Sequence, residues 1–245
     1  MEKDKIELQK ASILTTLIPE ISFDVIGRIS PSLLLILTIL VDLGYFKNGQ
    51  PFSISNLINI SGGTLLGIIF ALSVIAYIIG LFLSNLSYIF FGTFATQVWK
   101  KSVGENRVKS ICNLLASIYS GEYAHEYELI YKKKWEEYNL YDFDRIYTDT
   151  HEMLKNHNMY ANQLLQKLSG EFIYFQTLAL SVLIWFIFHL FLKGISLNSI
   201  IIALATLFMF LICRDRAKRR YGRLVLRQIS LFFANYNEIL TSRKI

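Results

Sequence analysis

Two ionisable side chains stand inside runs otherwise free of charge: Asp42, in SPSLLLILTILVDLGYF, and His189, in SVLIWFIFHLFL. Charge is costly in hydrocarbon, so an ionisable group in such a run is a functional candidate by default, kept for pairing, transport or sensing. Each lies about four residues from the end of its run, which sets the two at matching depth if both runs point the same way. Brought together they would form a carboxylate–imidazole pair; the alternative is that each reaches the headgroup layer on its own. His151 and His157 are six apart, on different sides of a helix, so they are not a ligand pair of the i,i+4 kind; a buried, hydrogen-bonded His157 is the preferred reading. Cys112 and Cys213 sit in unlike contexts that point neither to a disulfide framework nor to zinc. No phosphate loop, HExxH, GxSxG, paired-cysteine motif or buried acidic pair is found, so the chain is read as a non-enzyme without cofactor or metal.

The elements that must position these residues are membrane helices. The 245 residues are 53% hydrophobic with mean hydropathy +0.39, more apolar than an ordinary soluble domain of that size. Only three prolines and thirteen glycines accompany eighteen phenylalanines and fourteen tyrosines, which favours long helices ended by aromatic residues over a turn-rich barrel. Four stretches are candidates for the roughly 20 apolar residues that a crossing needs: 30–46, 64–94, 171–192 and 197–213. The third and fourth are apolar around the whole helix, which a soluble core helix is not.

Lysine and arginine orient these spans. Four precede the first span, ten lie between the second and third, and nine follow the fourth, against one in each of the two remaining loops. The basic side faces the cytosol, so both termini and the long polar segment are cytosolic, in a plasma (inner) membrane. The expected fold is thus an all-α integral membrane protein with four transmembrane helices, a cytosolic helical insertion between spans 2 and 3, and a basic amphipathic C-terminal helix. Its segments are 1–94, an interfacial helix plus the first hairpin; 95–170, the cytosolic insertion; 171–213, the second hairpin; and 214–245, the basic helix. The interfacial helix is read from Glu20, Asp24 and Arg28 at i,i+4 spacing, opposite Leu17, Ile18, Ile21 and Val25.

In the insertion, Tyr119, Tyr123, Tyr127, Tyr131 and Trp135 recur every fourth residue, a ladder that winds around a single helix. It is read as a packing seam; the alternative, an aromatic platform for a nucleotide or nucleic acid, has Lys132, Lys133 and Lys134 in its favour. Lys132 and Lys133 are expected to face Glu136 and Glu137 one turn on, as a solvated, salt-paired surface, and no nucleic acid is expected as partner. A second helix over 146–168 would carry Met153, His157, Tyr160, Leu164 and Leu168 on one stripe.

Gly63, Gly67 and Ala71, continued by Gly80 and Ser84, form a small-residue run on the second span that allows close helix approach, within one bundle or in a homo-oligomer. Asn85 and Gln176 are placed to hydrogen-bond across helices near the inner interface. After the fourth span, Arg214, Arg216, Lys218, Arg219, Arg220 and Arg223 precede a stripe of Val225, Ile229, Phe232, Tyr236 and Ile239. The basic cluster suits anionic lipid headgroups, and the apolar stripe suits either the membrane or the cytosolic insertion.

The arrangement resembles flagellar-stator motor subunits in topology, yet no proline follows Pro51, where those proteins use prolines in their later spans. Phe23, Asp24, Arg28, Pro31 and the leucine-rich run from Leu33 resemble the opening of small four-span membrane proteins of bacterial phage-defence operons, with Ser32 in place of a glycine. That resemblance implies an oligomeric membrane effector or sensor that perturbs or permeabilises the membrane when a cytosolic protein partner engages it. The rival readings are a non-conducting anchor or scaffold for a cytosolic effector, and an ion channel or small-solute transporter.

Overall fold

A computed structural model describes residues 25–45 and 61–243, and every regular element among them is helical. A π-helical turn, Val25–Ile29, leads into α1 (Ser30–Asp42). Then follow α2 (Gly62–Ser102), α3 (Glu105–Ile118), α4 (Glu122–Lys132), a 3₁₀ turn (Trp135–Glu137), α5 (Leu140–His157), α6 (Met159–Lys193) and α7 (Leu197–Arg243). Among the described residues three stretches are long and apolar enough to cross a membrane: Gly62–Ile89, Tyr160–Lys193 and Leu197–Thr241. Helix α1 has 13 residues and stops short of the expected Phe46. Its end is set by a Schellman arrangement, with Gly44 at φ 81°, Gly44 N–H donating to the Val41 carbonyl and Tyr45 N–H to that of Leu40. The interfacial helix expected before it falls on residues 17–28, almost all outside the described residues, as does the side chain of His157.

The chain divides into two compact units. The first comprises Phe90–Ser169 with 218–243. Its core includes Trp99, Ile111, Leu115, Tyr127, Phe143, Ile146, Leu154 and Phe232, all fully buried. Polar bonds tie α7 into it: Gln228 Nε2 donates to the Tyr147 carbonyl at 2.6 Å and to Thr150 Oγ1 at 2.7 Å, and Asn158 Nδ2 donates to Asn235 Oδ1 at 3.1 Å. Val225, Ile229, Phe232 and Ile239 are buried here, so among the described residues the apolar stripe of α7 packs on protein, and Arg214, Arg216, Lys218, Arg219 and Arg223 stay exposed.

Local signals explain where this unit departs from the expected helices. The single helix expected to carry the tyrosine ladder is two, because Tyr119 is extended and Ser120–Gly121 break the chain. The helix expected over 146–168 is also two: Asn158 ends α5, and its side-chain oxygen accepts the Ala161 N–H at the start of α6. The Lys132–Glu136 and Lys133–Glu137 pairing is overturned. Helix α4 ends at Lys132, so the i+4 spacing no longer aligns these groups; Lys132 reaches Glu128 at 4.0 Å and Lys133 binds Asp142 at 2.6 Å. Asp142 is buried and completes a capping box with Asn139 at the start of α5. The basic helix after the fourth apolar run is no separate element, since α7 continues unbroken through Cys213 to Arg243.

The second unit comprises the described parts of Ile21–Ile89 with Gly170–Ala217. Leu35, Leu83 and Leu180 join α1, α2 and α6 at its centre, and Ile39, Ile79 and Trp185 pack around them. A Cβ added to Gly80 would lie 2.5 Å from the Arg28 carbonyl oxygen, so only glycine lets α2 meet the π-helical turn this closely. Outward faces are strongly apolar: Phe70, Phe82, Ile89, Phe191 and Phe208 are each more than three-fifths exposed. Apolar exposure of this kind suits helices long and apolar enough to cross a membrane.

A candidate intramembrane polar site

Helices α1 and α6 bring Asp42 and His189 together. His189 Nδ1 lies 3.1 Å from both carboxylate oxygens of Asp42. A third group joins them, for Trp185 Nε1–H donates to Asp42 Oδ2 at 2.9 Å. Trp185 and His189 are one helical turn apart on α6, with ring centroids 5.7 Å apart, so a single face of that helix presents an indole donor and an imidazole to the same carboxylate. Both side chains of the pair are nearly buried, at 11% and 12% exposure.

Asp42 is the last residue of α1, where the negative end of the helix dipole disfavours a carboxylate. Two donors from α6 offset that cost, and the arrangement becomes an ion pair whenever the imidazole is protonated. Its chemistry is therefore electrostatic: it fastens the end of α1 to α6. Beside it lies a cavity of about 260 Å³ walled by Leu34, Leu35, Val182, Trp185, Ile202 and Met209, with almost wholly apolar walls.

The other sites expected from the sequence are distributed differently. Gly63, Gly67 and Ala71 are exposed, and a Cβ built at Gly63 or Gly67 meets nothing within 4 Å, whereas Gly80 is occupied by the chain's own Arg28 backbone. Ser84 bonds to the carbonyl of Leu81 on its own helix. Asn85 is exposed and Gln176 is buried.

In the first unit, Tyr119 stacks on Tyr127 across the α3–α4 break, at 5.8 Å and 10°. Tyr127 is fully buried and its hydroxyl donates to Asp149. Burial and the Asp149 carboxylate both push that phenol well above the usual tyrosine range. Tyr123 and Tyr131 remain exposed, and Trp135 packs on Tyr138 and Phe143. The ladder is thus split between core and surface. Cys112 is fully buried, and burial, with the Asp142 charge nearby, raises its thiol to about 12, so it is neutral and unreactive at neutral pH. Among the described residues no group of three or more His, Cys, Asp or Glu is placed to hold a metal ion. The sequence held no signal for Trp185 as a partner of Asp42, because a tryptophan near a span end reads equally well as an interface anchor. No family model, curated protein or solved structure matches the chain.

Proposed function

We propose that this chain is a four-span inner-membrane protein with both termini and the first unit on the cytosolic side, and that it acts as a homo-oligomeric effector or sensor. Engagement of the first unit by a cytosolic protein partner changes the second so that the membrane is perturbed or permeabilised, in the manner of the phage-defence membrane proteins its N-terminal segment resembles. One observation carries the reading: among the described residues the chain passes between the two units three times, each time inside an unbroken helix, α2, α6 or α7. A helix continuing from an apolar, membrane-length section into a packed, polar-bonded unit suits the transfer of an event at one unit to the other.

For the fourth span, α1 and the π-helical turn give 18 consecutive helical residues, within the range of about 17–25 that spans a bilayer. The exposed basic residues of α7 suit anionic headgroups at the cytosolic face. Gly63, Gly67 and Ala71 offer an open small-residue face to a second copy.

Pure full-length protein in sealed liposomes loaded with a self-quenching dye tests the reading. Dye release that depends on protein density and rises with a candidate cytosolic partner is the expected result. Liposomes that stay sealed with every candidate partner added would remove the permeabilising function and leave a membrane scaffold.

A further inference from the structure

We propose that the cavity between α1, α6 and α7 is a binding site for a small amphiphile, a hydrocarbon body carrying one hydroxyl, taken up from the hydrocarbon of the membrane. The cavity has a volume of about 260 Å³ and almost wholly apolar walls. A dry apolar cavity of roughly 150 Å³ takes up benzene, so this space suffices for a guest of that size or larger. Leu34 of α1 and Met209 of α7 line it and are also nearly half exposed, so it opens on the apolar outer face of the second unit. A guest reaches such a mouth through acyl chains, which selects a hydrocarbon body.

Two side chains select its polar end. Ser181 on α6 and Thr206 on α7 both belong to the cavity wall, are 2% and 4% exposed, and have hydroxyl oxygens with no hydrogen-bond partner among the described residues. Other hydroxyls on these helices are satisfied locally. Thr38, in the same wall, donates to the carbonyls of Leu34 and Leu35, and Ser73, Ser84 and Ser87 on α2 each donate to a carbonyl three or four residues back. A buried hydroxyl left unpaired is costly, and a partner in the cavity removes that cost. The Ser181 and Thr206 oxygens lie just behind the apolar surface, and a change of χ1 turns either toward the guest. A guest hydroxyl both donates and accepts, so it can accept from one of the two and donate to the other. A plain acyl chain can do neither.

Trp185 gives occupancy a consequence. Its indole forms part of the wall, and its Nε1–H donates to Asp42 Oδ2 at 2.9 Å. A guest packed against the ring holds it in the pose that reaches the carboxylate, which couples the site to the fastening of α1 on α6. The second unit then has a ligand input of its own, separate from the cytosolic partner. The site rests on reading α1, α6 and α7 as membrane spans, and not on permeabilisation.

Full-length protein in liposomes, photolabelled with an octanol analogue that carries a diazirine, tests the site through mass spectrometry of the labelled residues. Labelling of Trp185 and Met209 is expected to saturate, and to fall several-fold when unlabelled octanol is added in excess. Octane at the same membrane concentration should compete about tenfold more weakly, the value of one or two hydrogen bonds. In the double variant Ser181→Ala with Thr206→Val, octanol and octane should compete alike; it removes two unpaired hydroxyls and so keeps its fold. The octanol and octane arms on the wild type decide the matter without any variant. Labelling that does not saturate would mean that bilayer acyl chains alone occupy the space, and would overturn the site. So would octane competing as well as octanol in the wild type, or an octanol preference that survives loss of both hydroxyls. No flux is read, so failure of the site leaves the proposed permeabilisation standing, and liposomes that stay sealed to dye leave the site standing.

Discussion

Trp99→Ala is expected to unfold the first unit, lowering its stability by about 3–5 kcal/mol, as a buried large aromatic does when cut back to a methyl. Trp99 is fully buried near the end of α2 and joins three helices. Its ring stacks on Phe143 of α5 at 5.1 Å and 13°, and its Nε1–H donates to the Tyr221 hydroxyl of α7 at 3.1 Å. Tyr221 in turn meets Phe94 edge-on. Removing the indole empties the centre of this cluster and takes away the Nε1–H that the Tyr221 hydroxyl accepts. The phenylalanine variant is intermediate: it keeps an aromatic ring against Phe143 and loses the hydrogen bond with part of the indole's volume, at a cost of about 1–3 kcal/mol. Amide exchange in α5 reads both, with near-complete loss of protection in Trp99→Ala and a modest loss in Trp99→Phe. An alanine variant as well protected as the wild type would show that Trp99 does not hold the unit together.

The second large effect is expected at Asp42. Asp42→Ala removes the shared acceptor of Trp185 Nε1–H and the partner of His189 Nδ1 in one step. A buried donor left without an acceptor costs about 1–3 kcal/mol, so losing the carboxylate under both groups should lower the thermal midpoint in detergent substantially. Asp42→Asn keeps a carbonyl oxygen in place and gives up the charge, so it should fall between alanine and wild type. The order wild type, Asn, Ala in midpoint, with Trp185→Phe losing only the indole bond, is the signature of a carboxylate held by two donors. Equal midpoints for all four proteins would mean that the three side chains do not interact in the folded protein.

What was legible in advance follows from the physics that writes each feature into a chain. Hydrocarbon demands long apolar runs, so α2, α6 and α7 announce themselves by composition. A meeting of Asp42 and His189 could be read from their matching positions within such runs. The side of the helix each occupies could not, nor could the third partner, because membrane helices that are apolar all round carry no amphipathic stripe to orient them. Helix ends were harder. Tyr119, Tyr123, Tyr127, Tyr131 and Trp135 share a spacing of four, which favours one continuous helix, yet Ser120–Gly121 and the end of α4 at Lys132 cut the series twice. Asn158 likewise interrupts an otherwise periodic stretch by capping the following helix, a local hydrogen-bond choice that periodicity does not encode. The buried Gln228 was invisible for a related reason: within the stripe from Val225 to Ile239 a glutamine reads as a surface interruption, and only the carbonyl of Tyr147 and the hydroxyl of Thr150 on a distant helix give it a place inside.

Orientation is the claim on which the proposed function depends, and cysteine accessibility tests it most directly. The two native cysteines are buried, so single cysteines can be introduced at Ser12, Ser61, Ser120 and Ser196 and treated with a membrane-impermeant maleimide on intact spheroplasts. Four spans with a cytosolic first unit predict labelling at Ser61→Cys and Ser196→Cys without permeabilisation, and at Ser12→Cys and Ser120→Cys only after it. Labelling of Ser12→Cys on intact spheroplasts would reduce the spans to three, and labelling of Ser120→Cys would put the first unit outside and contradict the account.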